Sequence, residues 1–258
     1  MSDVILDDHQ TRRYSRHILL PDIDLEGQSQ LLNAKVLIIG AGGLGCPAGI
    51  YLAASGVGHI TIADFDHVEL SNLQRQIAFK TKHIGHAKAE TLKSTLTELN
   101  PDITAISLNT RMTGNALQTA AAEADAVIDA SDNFETRFAV NAACHRAKTP
   151  LISGAASRYR GQLCVFDFRQ PNTPCYNCLF SHDSNDDAQT DCQALGVFAP
   201  VTGIIGSYLA AETIKVLLDI GDSLTGRLAT FDIHEMSARI TGARRDPRCP
   251  TCGAIAPS

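Results

Sequence analysis

The apolar positions of this chain fall in short runs, each followed by a stretch of helical length. Lys35-Val-Leu-Ile-Ile39 is apolar after its lysine and runs into glycine, Leu44 to Ala54 is apolar-rich, and His59-Ile-Thr-Ile-Ala63 is a second short run. Strand, turn, helix and strand make a βαβ unit of about thirty residues. Ala87 to Leu99 predicts a further helix, closed by the Asn100-Pro101 break. Ile103 to Leu108 and Ala126-Val-Ile-Asp129 predict strands, with an alanine-rich helix from Asn115 to Glu123 between them. Such alternation implies an α/β fold, a Rossmann-like doubly wound sheet of mostly parallel strands.

Past Pro150 the pattern changes. Leu151-Ile-Ser153 reads as one more parallel strand, but Gln162 to Phe168 is a longer strand of mixed facing, and Arg227 to Asp232 and Ser237 to Thr241 predict further strands. The sheet is therefore expected to continue into antiparallel strands. A helix is expected from Pro200 to Leu218, and the polar, acidic stretch from Ser181 to Gln193 reads as a long surface loop. The whole chain, 1–258, is taken as a single domain, with an N-terminal helical arm (1–34), a nucleotide-binding half (35–153) and a second half (154–258).

Composition narrows the function. The formal net charge of −6, from 22 basic and 28 acidic side chains, argues against a nucleic-acid partner, which needs a clustered basic excess. No apolar run reaches the roughly 18 residues of a membrane span, and Met1 to Asp8 has no basic segment before an apolar one. A globular soluble enzyme of the cytoplasm is expected, with no membrane partner.

The chemistry starts at Gly40-Ala-Gly-Gly-Leu-Gly45, which satisfies G-x-G-x-x-G through Gly40, Gly42 and Gly45, with Gly43 extra, directly after a strand and opening a helix. Such a loop lets backbone approach a phosphate, and an acid about twenty residues on accepts the ribose hydroxyls, here Asp64 or Asp66. Tight packing of strand on helix is the plain alternative for the glycines, and ordinary turn residues for the aspartates. The loop does not distinguish NAD from ATP. Ser71-Asn72-Leu73-Gln74-Arg75 does more, because a dehydrogenase has no need of an Asn and an Arg behind its ribose acid, whereas a triphosphate needs cations. Arg75 and Lys88 can supply them. Asp132, after the strand ending at Asp129, lies at the edge where open α/β sheets bind ligands and can hold Mg²⁺, although Asp132 or Asn133 can equally cap a helix.

Of the eight cysteines, Cys175-Tyr-Asn-Cys178 and Cys249-Pro-Thr-Cys252 form paired C-x-x-C knuckles, the donor set of a closed, structural Zn²⁺ site. Redox pairs are the alternative, disfavoured because neither knuckle is read as opening a helix. Cys46, Cys144 and Cys164 sit in apolar patterns as small core residues. Cys192, in the polar loop, is a candidate nucleophile, but Asp186, Asp187 and Asp191 oppose its ionisation. Arg12-Arg-Tyr-Ser-Arg16 reads as a basic surface helix, or as a finger on a phosphate.

From Arg13-Tyr-Ser-Arg16 to Cys249-Pro-Thr-Cys252-Gly253, nearly the whole chain resembles the ThiF/MoeB/HesA family of ubiquitin-activating-enzyme-like adenylyltransferases. The resemblance implies a nucleotidyltransferase that uses ATP and Mg²⁺ to adenylate the C-terminal glycine of a small ubiquitin-fold sulfur carrier ending in Gly-Gly. The carrier then becomes a thiocarboxylate for thiamine thiazole (ThiS-type) or molybdopterin (MoaD-type) synthesis. It implies ATP contacts from Gly43 and its neighbouring glycines, ribose binding by Asp64, phosphate contacts from Asn72, Arg75 and Lys88, and metal and nucleotide contacts from Asp132 and Asn133. Cys175, Cys178, Cys249 and Cys252 match its zinc ligands, and Cys192 its crossover-loop cysteine. It further implies a homodimer in which Arg16 acts in the partner's site. Ser131 stands where many members have threonine. Leu20 to Gly27 and Met112 to Leu117 look closer to the thiamine branch. The chain stops soon after the second knuckle, so a separate sulfurtransferase is expected. An NAD-dependent oxidoreductase and a non-catalytic binding module are the competing readings.

Overall fold

A computed structural model describes residues 6–180 and 196–253. Cys192 and the polar loop around it lie outside the described residues. Three helices, α1 (Asp8–Arg13), α2 (Ser15–Ile18) and α3 (Asp24–Asn33), precede β1 (Lys35–Ile39), α4 (Gly45–Ala54), β2 (His59–Ala63), α5 (Lys88–Leu99), β3 (Thr104–Leu108), α6 (Gly114–Glu123) and β4 (Ala126–Asp129). Then follow α7 (Phe134–Ala147), β5 (Leu151–Ser157), β6 (Arg160–Phe166), α8 (Tyr176–Leu179), α9 (Ala199–Leu218), β7 (Arg227–Asp232) and β8 (Ser237–Gly242). They build one eight-stranded sheet in the order β3-β2-β1-β4-β5-β6-β7-β8. The first five strands pair in parallel and the last three antiparallel, as the sequence implied.

Both faces of the parallel part are covered, which is why its strands carry near-continuous apolar runs. Val36, Ile38, Ile60, Ile62, Ile128 and Ile152 point into one core with residues of α4, α5 and α9; Leu37, Ile39, Val127 and Leu151 point into the other with residues of α6 and α7. Strand β5 runs on to Ser157, beyond the predicted Ser153. Its Gly154 lets α9 close in, since a Cβ there would stand 3.1 Å from the Leu209 methyls. By length and composition α9 is apolar enough to cross a membrane, contrary to the expectation from the runs, but half of its most apolar window is buried in the protein. Its inward residues, including Val201, Ile205 and Leu209, belong to the core.

The helical arm is fastened to the amino edge of the sheet. Buried Asn100 donates to the Tyr14 hydroxyl at 2.8 Å and to Ala53 O at 2.7 Å, and Gln28 Nε2 donates to Ser55 O at 2.9 Å. These contacts lie at the C-terminal end of α4, whose other end carries the glycine loop.

Gly45 is required by close approach, because a Cβ there would overlap the Gly40 carbonyl oxygen. Gly45→Ala is expected to cost about 2–3 kcal/mol and lower Tm by about 5–10 °C in a circular-dichroism melt. An unchanged melt would show that the turn is not packed this way.

Candidate active site

The glycine loop connects β1 to α4 at the carboxyl edge of the sheet. Gly40 has φ +98°, and a Cβ on it would stand 2.8 Å from Ala130 O, so the turn must lie against the end of β4. A Cβ at Gly42 would meet only Gln76 Nε2, at 3.8 Å, which leaves open space over the loop. The first turn of α4 has neither a side-chain cap nor an acid; its Cys46 and Ala48 N–H groups are taken by Gly42 O and Leu44 O and Pro47 has none, so what it offers an anion is the positive end of the helix dipole.

Asp64 closes the loop from β2. It accepts Ala41 N–H at 2.7 Å and Asp66 N–H at 2.8 Å. Burial pushes its carboxyl above the ordinary carboxylate range, against the lowering effect of the Asp66 and Ala41 N–H groups. Asp66 is turned to Lys88, whose ammonium lies 2.8 Å from Asp66 Oδ2. That lysine is 7% exposed, so it is no solvated surface residue, and it opens α5 close enough to Asp64 and Cys46 to act on both electrostatically. Arg75 comes from the other side. Its Cγ lies 3.4 Å from where a Gly43 Cβ would be, and its guanidinium donates to Ser71 O at 3.1 Å. Ser71 Oγ donates to Glu69 at 3.2 Å, and buried Asn72 accepts Glu69 N–H at 3.1 Å, which holds the short turn carrying Arg75.

The loop after β4 supplies the opposing wall. Asp129, fully buried, accepts Ser131 N–H at 3.1 Å, Ser131 Oγ at 2.6 Å and Ser153 Oγ at 3.1 Å. Ser131 therefore uses a hydroxyl that threonine would also carry. Asn133 caps α7 by accepting Thr136 N–H at 2.9 Å, and Asp132 beside it is exposed at the same edge. One exposed carboxylate at a phosphate site is a fitting donor for Mg²⁺, which usually keeps water and phosphate as its other ligands.

Three contributors to this edge were not assigned from the sequence. Gln76 is buried with Oε1 unpartnered, next to Gly42. Arg137 is buried and donates to Ser131 O at 2.7 Å, fixing the wall loop. Thr202 of α9 lies against Gly43, its Cγ2 3.1 Å from a Cβ built there. Gln76 closes the polar run that begins at Ser71, which drew notice to it without giving it a role. Arg16 is not brought into this group. It lies on α2, two residues beyond Tyr14, at the far end of α4.

The two cysteine knuckles do meet. The ligand atoms of Cys175, Cys178, Cys249 and Cys252 all lie within 4.8 Å of one another. Sγ separations are 3.5 Å for Cys175–Cys249, 3.9 Å for Cys175–Cys178 and 3.3 Å for Cys178–Cys252. A tetrahedron with Zn–S bonds of about 2.3 Å has edges of about 3.8 Å, so the cluster has the size such an ion needs. Asp246 N–H and Cys175 N–H point to Cys178 Sγ at 3.4 and 3.5 Å, as donors to a thiolate do. Without a cation, burial and the neighbouring sulfurs push the Cys175 thiol up, and the Cys252 thiol to about 11. One expectation is corrected: Cys175 does open a helix, as the N-cap of the single-turn α8. The four-sulfur grouping nevertheless favours metal over a redox pair, since each knuckle faces the other.

Fold and site thus define a nucleotide-binding, doubly wound protein with a four-cysteine cluster able to hold a metal ion. A model of the ThiF family matches residues 14–251, and the chain belongs to that family. It is 46% identical over 253 residues to the sulfur carrier protein ThiS adenylyltransferase of Escherichia coli, covering 96% of this chain and 97% of the relative. It is 43% identical over 248 residues to the molybdopterin-synthase adenylyltransferase of Salmonella typhimurium, covering 96% and 98%. Among solved structures, E. coli MccB with ATP superposes with a TM-score of 0.80 at 26% identity, covering 96% of this chain and 76% of that one.

Proposed function

We propose that this protein activates the C-terminal glycine carboxylate of a small ubiquitin-fold sulfur carrier, of the ThiS type, by adenylylation with ATP. The observation that carries the reading is that Arg75 and the segment leading to Asp132 flank the glycine loop, while Lys88 acts on Asp64, which closes it, a charge set suited to a triphosphate. The ThiS adenylyltransferase relative supports the carrier class. The molybdopterin-synthase relative, nearly as similar, supports a MoaD-type carrier as the second reading.

A carboxylate is already ionised at neutral pH, so the reaction needs positioning and charge neutralisation rather than a strong base. One carboxylate oxygen forms a bond to the α-phosphorus while the bond from that phosphorus to the bridging oxygen breaks, and pyrophosphate leaves with the electron pair. Asp64 holds the ribose, the loop from Gly40 to Gly45 and the start of α4 hold phosphate oxygens, and Asn72 keeps the Arg75 turn in place. Lys88 turns from Asp66 toward the phosphates, with Arg75 on the other side. Asp132 and Asn133 would hold Mg²⁺ and nucleotide; the ion, when bound, neutralises phosphate charge. The four cysteines would hold Zn²⁺ as a structural ion. Sulfur comes from a separate sulfurtransferase, and the enzyme works in the cytoplasm.

Arg16 is proposed to serve the partner's site in a homodimer, since α4, about 15 Å long, separates it from the loop of its own chain. Arg16→Ala and Lys88→Ala proteins, each inactive, are then expected to regain about a quarter of wild-type exchange when unfolded and refolded together in equal amounts, because each mixed dimer has one intact site. No recovery would place Arg16 in its own site or outside the chemistry. Cys192→Ala is expected to retain carrier-dependent ATP–pyrophosphate exchange, because adenylylation precedes any sulfur step. Loss of exchange in that variant would assign the thiol to the first reaction.

A further inference from the structure

At the amino edge of the sheet, away from the glycine loop, the structure contains a cavity of about 500 Å³. Its walls include His145 and Lys148 at the end of α7, Arg169 and Asn172 in the segment after β6, and Arg245 ahead of the second cysteine pair. Lys148, Arg169 and Arg245 line it without a carboxylate among the lining residues, although Asp167, Asp219 and Asp125 lie near enough to Arg169 to raise its pKa. Asp167, 4% exposed, is already committed: its oxygens accept Arg169 Nε at 2.8 Å, Arg169 Nη2 at 2.9 Å and Gln170 Nε2 at 3.3 Å. Among the described residues Arg245 is bonded only to neutral acceptors, Asn172 Oδ1 at 3.2 Å and the Cys252 carbonyl. Among the described residues Lys148 has no ion-pair partner.

Backbone conformation adds a second observation. Lys148 has φ +60° and Asn172 has φ +62°, so two non-glycine residues on the cavity wall sit in the left-handed region. Lys148 is the residue that ends α7, a position where glycine is the favoured occupant. A lysine kept in that conformation beside a cavity lined by cations is a reason to look for an anion. The field is positive at His145 as well, whose pKa is held below the ordinary histidine range by burial and then by Lys148, Arg245 and Arg146.

We propose that this cavity binds a small oxyanion, a phosphate or sulfate group, with Lys148 and Arg245 supplying the charge and the Asn172 amide a neutral donor. Arg245 also holds the Cys252 carbonyl, so an anion there braces the second cysteine knuckle against the end of α7. A second cavity, of about 1330 Å³, shares Lys148 and Arg169 with the first and gives room for the rest of a phosphorylated molecule.

The test is thermal unfolding of the whole protein during titration with inorganic sulfate or phosphate, at ionic strength held constant with sodium chloride. Wild type is expected to show a saturable rise in Tm of several degrees. Lys148→Gly, which removes the charge and relieves the left-handed backbone, is expected to melt at or above the wild-type temperature without the anion and to lose the part of the saturable rise that Lys88→Ala keeps. Lys88→Ala, altered only at the glycine loop, is expected to keep a saturable rise. Ribose 5-phosphate raising Tm at lower concentration than phosphate would identify a phosphorylated metabolite as the occupant, and equal potency the free ion. An equal response in wild type and Lys148→Gly, or a response lost in Lys88→Ala, would overturn the proposal.

Discussion

Lys88→Ala and Asp132→Ala are each expected to lower carrier-dependent ATP–pyrophosphate exchange by about 10²–10³-fold while leaving the protein folded. Removing one preorganised charge from a developing transition state has an effect of that order. Lys88 is the more informative of the two. Its ammonium is buried against Asp66 at 2.8 Å, and the Asp66 side chain is 47% exposed, so the carboxylate left behind can be hydrated. Stability should therefore fall little, and activity greatly. Asp132 is exposed, and Asn133, not Asp132, caps α7, so its removal should not unravel the helix. Exchange rates and melting temperatures measured on the same preparations separate the two effects. Wild-type exchange by Lys88→Ala would remove that lysine from the phosphate site.

For the zinc proposed at the four-cysteine cluster, removal is expected to lower Tm by about 10 °C or more, since binding to such a site contributes directly to folding. Cys249→Ser, or prolonged chelation, should remove one zinc per chain by elemental analysis. The consequence should reach the active site through identifiable contacts. Tyr176, next to Cys175, donates its N–H to Asn141 Oδ1 at 2.8 Å, and its hydroxyl accepts from Arg137 Nη1 at 3.5 Å. Arg137 in turn donates to Ser131 O, next to Asp132. Exchange should thus decline in metal-depleted protein even below its melting temperature. A depleted protein with unchanged Tm and exchange would mean that the cluster does not brace this wall.

These contacts also explain what could be read from the sequence. The parallel strands were legible because strands buried on both faces become nearly continuous apolar runs, as in Val36 to Ile39. The glycine loop was legible because Gly40 and Gly45 answer steric demands that no other residue meets. Helix α7 escaped because two of its inward positions are Arg137 and Asn141, polar groups satisfied by Ser131 O and Asn177, which break the apolar stripe that marks a helix. The pairing of Lys88 with Asp66 escaped for another reason. The two are 22 residues apart, and only the folding of β2 against α5 joins them. The cysteine cluster was the clearest long-range signal, since a chemical requirement for four thiolates links Cys175 to Cys249 where no local pattern does.

In the proposed reaction the site cleaves ATP at its α-phosphate using a carrier's terminal carboxylate. Its most direct measurement is ATP–pyrophosphate exchange with ThiS-type and MoaD-type carriers, each with and without the final glycine, with intact-mass analysis of the carrier. Exchange is expected to require the intact carrier and to be fastest with the ThiS type, and the carrier is expected to gain the mass of one adenylyl group. A protein that exchanges no pyrophosphate with either carrier, yet binds NADH tightly and ATP not at all, would contradict this reading.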